Sequence, residues 1–120
     1  MYEGRAYDLE ERTIRFAKAV LDYAKVYPHR GSEHLLMQLT RAATSVAANY
    51  MEACVAESLK DFRHKCCLSA KEAKESWFWL RMTVPAGDAK GKALTMEALE
   101  LTKIFAATKR TCDQRALTKS

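Results

Sequence analysis

Apolar residues recur at steps of three and four through most of the chain, and interruptions of that rhythm divide it into four segments. Leu9, Thr13, Phe16, Val20, Tyr23 and Tyr27 share one face of a helix expected over about 7–27. Pro28 and Gly31 break it, and Ser32 is placed to cap a second helix over 33–56. Ser58 followed by Asp61 is an acidic variant of the capping box and opens a third helix over 59–84. Phe62, Cys66, Ser69, Ala73, Trp77, Leu80 and Val84 form its inward seam, and Val84-Pro85-Ala86-Gly87-Asp88 ends it. A fourth helix over 89–113 carries Leu94, Ala98, Leu101, Phe105, Thr108 and Cys112 on its seam. No segment alternates at period two, so no strand is expected. Four amphipathic helices with short links predict an all-α, antiparallel up-down-up-down four-helix bundle, with 1–120 forming one domain.

Two features exceed what a single bundle needs. Between 34 and 56 the second helix carries only Arg41 and Glu52 as charges besides His34, and 41–53 reads RAATSVAANYMEA. A helix apolar nearly all round is expected to be buried nearly all round. In the third helix, Trp77, Phe78 and Trp79 are consecutive and point about 100° apart, so at least one ring is expected on an outer face. Both features point to a homo-oligomer.

Polar residues of the second helix form a line of their own. Gln38, Arg41, Ser45, Asn49 and Glu52 lie on one stripe, beside the core stripe of Leu39, Ala43, Val46, Tyr50 and Ala53. Small flanking residues let backbones approach closely, and polar groups held there need partners. The stripe, with Trp79, is therefore read as a subunit interface or lined channel, or as an intramolecular network that fixes helix register.

Length and charge add limits. A chain of 120 residues that is 48% hydrophobic and 29% charged is a folded domain rather than a disordered one. No apolar run approaches the roughly 20 residues that cross a bilayer, and the charged N-terminus has no signal-like segment, so a cytoplasmic protein without membrane contact is expected. The net charge is +5. From Lys103 onward five basic residues face one acid, Asp113, which points either to a polyanionic partner or to a merely solvated end.

Signatures of catalysis and of metal binding are missing. Asp61 and His64 have the i, i+3 spacing of carboxylate-bridged metal bundles, but no second Asp/Glu-x-x-His exists to complete such a site. Glu72 and Glu75 sit among lysines, with Lys71 and Glu75 at an ion-pair spacing, and read as a solvated helix face. Cys54, Cys66, Cys67 and Cys112 lack metal-ligand spacing and read as small apolar residues. No cofactor is implied, and the chain is expected not to be an enzyme.

The motifs resemble a known family. Gln38-x-x-Arg41-Ala42-Ala43-x-Ser45-x-x-x-Asn49-x-x-Glu52, then Ser58-x-x-Asp61-Phe62, then KEAKESWFWLR at 71–81, are similar to the four-helix-bundle family first named for 23S ribosomal RNA intervening-sequence proteins. DLEERTIRFAKAV at 8–20 matches its usual opening. The resemblance implies a compact bundle assembling into a ring, commonly a pentamer. A related branch, the accessory variability determinant of diversity-generating retroelements, implies a reverse transcriptase or other nucleoprotein as partner. The leading expectation is a non-enzymatic, ring-forming bundle that binds RNA or DNA, with Lys60, Arg63, Lys65, Lys109, Arg110 and Arg115 as phosphate contacts. The alternative is a structural adaptor that docks a partner protein on its aromatic surface without binding nucleic acid.

Overall fold

A computed structural model describes residues 2–27 and 31–119, with side chains described over 8–27 and 31–118. Four helices follow in order: α1 (Tyr2–Val26), α2 (Glu33–Cys54), α3 (Leu59–Thr83) and α4 (Ala89–Lys119). There is no strand among the described residues. The expected break at Pro28 lies outside them. The bundle measures 54 × 25 × 21 Å. α2 packs on α3 and α3 on α4 along most of their lengths, α1 packs on α2, and α1 meets α4 over a much shorter stretch.

Each boundary has a local cause. Ser58 takes extended backbone angles and its hydroxyl accepts from the Asp61 amide at 3.0 Å, which starts α3. Pro85 forces Val84 into an extended conformation, and α3 stops there. Gly87 then adopts a positive φ of 86°, which lets the chain reverse, and Asp88 accepts from the Gly91 amide at 3.0 Å to start α4. Ser32 behaves differently from expectation. It occupies the cap position of α2 with φ −117° and ψ 7°, and its side chain makes no capping bond. α2 ends at Cys54 rather than 56, and α4 runs on to Lys119 rather than stopping near 113. Nothing after Cys112 breaks a helix, since 113–119 contains neither Gly nor Pro.

The seams read from the sequence form the core. Phe16, Val20, Leu39, Ala43, Val46, Tyr50, Cys66, Ala73, Leu80, Ala98, Leu101 and Phe105 are buried. Fully burying one such large side chain contributes about 1.5–3 kcal/mol. Tyr50 and Phe105 meet at 5.5 Å between ring centroids. Ser69, fully buried, donates to the Val46 carbonyl at 3.0 Å and ties α3 to α2 where Ala42, Ala43 and Ala47 keep the helices close.

The single chain does not by itself supply the burial expected of α2. α2 is not buried nearly all round: Met37, Gln38, Arg41, Thr44, Ala48, Met51 and Glu52 are exposed. With neighbours on two sides only, a bundle helix keeps a free face in the single chain, however small and uncharged its residues.

Candidate nucleic-acid interface

Antiparallel topology brings the six sequence-predicted cations to one end of the bundle. Lys60, Arg63 and Lys65 stand on the first turns of α3, and Lys109, Arg110 and Arg115 on the last turns of α4. Three are engaged within the chain. Arg63 donates to Asp113 at 2.6 Å, Lys109 stands 3.6 Å from the same carboxylate, and Lys65 donates to Glu52 at 2.6 Å. The Arg63 hydrogen bond holds the Asp113 carboxyl below its ordinary range. Lys60, Arg110 and Arg115 are exposed and have no carboxylate partner among the described residues.

The polar stripe of α2 faces the flank of α3. Arg41 reaches Glu75 at 2.6 Å and Glu72 at 3.5 Å. Glu75 Oε1 also accepts from the Trp79 indole N–H at 3.3 Å. Glu72, with Glu75, raises the pKa of Arg41 above its ordinary value. The second oxygen of Glu72, Oε1, is buried without a hydrogen-bond partner. Asn49 bonds back to the Ser45 carbonyl at 3.0 Å, and Gln38 is exposed. The solvated-face reading of Glu72 and Glu75 is therefore wrong. Both turn toward α2, and no Lys71–Glu75 ion pair forms. The i, i+4 spacing is compatible with a pair, but Arg41 lies across the helix interface and competes successfully.

Consuming those acids has a consequence for the rest of α3. Lys71, Lys74 and Arg81 point outward with no carboxylate partner among the described residues. Lys74 Nζ lies 4.2 Å and the Arg81 guanidinium 5.1 Å from the Trp77 ring centroid. Of the three consecutive rings, Phe78 is the exposed one, at 47%, while Trp77 and Trp79 are half-buried. Sequence reading missed this cationic face because it assigned the glutamates to the same side.

Two of the four thiols are withdrawn from solvent. Cys66 and Cys112 are buried, and burial pushes the Cys66 thiol up to about 12. Cys54, exposed at the end of α2, is also raised, chiefly by desolvation. Asp61 and His64 are both exposed. Among the described residues no group of three or more His, Cys, Asp or Glu side chains is arranged to hold a metal ion. No helix among them is long and apolar enough to cross a membrane.

Comparison with known proteins gives a consistent result. The family model for the 23S rRNA-intervening sequence protein matches residues 5–107. The fold resembles the crystal structure of a protein of unknown function from the S23 ribosomal protein family of Bacteroides thetaiotaomicron VPI-5482. The TM-score is 0.74 at 24% identity, covering 83% of this chain and 96% of that one. No curated protein gives a significant match.

Proposed function

The chain belongs to the 23S rRNA-intervening sequence protein family, and from that premise we propose that it is a non-enzymatic, ring-forming bundle that binds nucleic acid or a nucleoprotein. The observation supporting this is the gathering of Lys60, Arg63, Lys65, Lys109, Arg110 and Arg115 at one end by the antiparallel topology. Ion pairs within the chain divide the six unequally. Lys60, Arg110 and Arg115 are free to take phosphates, whereas Arg63, Lys65 and Lys109 would first have to leave Asp113 or Glu52. Duplex binding through the free three gives a log–log salt slope of about −3, and engaging all six gives about −5. A titration of a short duplex and a structured RNA at several salt concentrations tests the reading. No detectable binding at low salt refutes it and leaves the adaptor alternative.

Assembly rests on the free face of α2. Met37 and Met51 are 70% and 49% exposed, with Thr44 and Ala48 between them and little charge, and Val55, just past the helix end, is 79% exposed. Such a face suits a second copy of the chain better than open water. We expect a ring, a pentamer by the resemblance noted above. Light scattering on the wild type and on Met51→Lys tests this, with a wild-type monomer at micromolar concentration as the refuting result.

A further inference from the structure

We infer that the outer face of α3 binds single-stranded nucleic acid, with Phe78 stacking on a base and Lys71, Lys74 and Arg81 taking phosphates. The inference rests on the nucleic-acid reading above, names its substrate class, and places it on a different surface from the bundle end.

Positions 71, 74, 78 and 81 follow one another at helical spacing and share a face. Its cations have lost their local competitors, because Arg41 draws Glu72 and Glu75 to the opposite flank of the helix. Trp77 lies beneath Lys74 and Arg81, so two of the cations are held by the ring rather than by a carboxylate. A phosphate can take them without breaking an ion pair, unlike Arg63 or Lys65. Beyond Arg81 the face runs into a groove of about 460 Å³, where Lys92 stands at the start of α4.

Phe78 supplies what an all-basic helix lacks. Its ring packs against Trp79 with centroids 4.9 Å apart and planes at 69°. Trp79 is fixed in turn by Glu75, and Glu75 by Arg41. The polar stripe of α2 thus steadies an aromatic ring that remains 47% exposed on the far side of α3. Cations interleaved with a steadied aromatic ring are the arrangement that grips unpaired bases and their backbone together. Duplex bases offer no free face to Phe78, and an acidic peptide would use the cations but not the ring.

The test uses fluorescence anisotropy of a labelled short oligothymidylate and of a labelled duplex of equal length, with full-length protein. For the single strand, Phe78→Ala is expected to weaken binding about tenfold, with Phe78→Tyr close to wild type. Lys71→Gln combined with Lys74→Gln should flatten its log–log salt slope by about 1.4. Arg110→Gln combined with Arg115→Gln should weaken the duplex and spare the single strand. Thermal melts of each variant verify that these exposed substitutions leave the fold intact. Equal single-strand affinity for wild type and Phe78→Ala overturns the inference. So does displacement of the oligonucleotide by polyglutamate as readily as by unlabelled oligothymidylate. Duplex binding without single-strand binding sinks this inference alone, whereas absence of both sinks the broader reading as well.

Discussion

Gly91 is a position where two opposing effects can be separated by experiment. It sits in the first turn of α4, and a Cβ added there would lie 2.7 and 2.9 Å from the two γ-carbons of Val84, and 3.1 Å from Asp88 Oδ2. On propensity alone Gly→Ala in a helix gains up to about 1 kcal/mol. Contacts under 3.0 Å with a stiff β-branched side chain cannot be relieved by a rotamer change, and overpacking of that kind costs about 1–3 kcal/mol. The clash wins, so Gly91→Ala is expected to destabilise by roughly 1–2 kcal/mol. The same substitution in a Val84→Ala background removes both γ-carbons and should turn stabilising, by up to about 1 kcal/mol. Urea melts of wild type, both single variants and the double variant give the coupling energy directly. If Gly91→Ala raises stability in the wild-type background, the proposed packing of α3's exit against α4's entry is wrong.

Four further outcomes are expected. Arg41→Ala should cost about 1–2 kcal/mol, more than a half-exposed ion pair is worth, because it strands the Glu72 carboxylate whose Oε1 is already buried without a partner. Adding Glu72→Gln should restore part of that loss in chemical melts, and no restoration would show that Glu72 is not the strained group. Ser58→Ala should cost about 1 kcal/mol by removing the cap of α3, with Ser58→Gly costing only a few tenths, as thermal melts can check. The Cys66 thiol, pushed up to about 12 by burial, makes the folded chain bind more protons than the unfolded one above pH about 9. Its contribution is therefore present below that pH and lost as pH rises, and Cys66→Ala should flatten the alkaline decline seen in melts. Glu97→Gln removes the carboxylate that Arg12 grips through two nitrogens at 2.8 Å and should speed amide exchange in α1 more than in α3.

Helix seams were legible in the sequence because burial imposes a period on each helix by itself. Thr13, Phe16, Val20 and Tyr23 on α1, and Ala98, Leu101 and Phe105 on α4, are buried as their spacing required. What depends on two helices at once was not legible. The competition between Lys71 and Arg41 for Glu75 is decided by the register of α2 against α3, which no single-helix spacing reveals. The same blindness hid the cationic face, since Lys71 and Lys74 look neutralised until their acids are seen to turn away. Ser76 and Thr83, also buried, escaped notice because their hydroxyls return to carbonyls of their own helix, at 2.8 and 3.0 Å.

The short seam between α1 and α4 bears on how this molecule comes apart. α3 holds α2 and α4 over long interfaces and α2 holds α1, while α1 and α4 meet only briefly, with Arg12 gripping Glu97 and a groove of about 550 Å³ beside Tyr23, Val26 and Leu94. Opening that seam alone leaves α1 packed on α2 and spares the long α2–α3 and α3–α4 interfaces. Local opening should therefore begin between α1 and α4, whereas releasing α1 altogether must also break its packing on α2 and expose Phe16, Val20 and Tyr23.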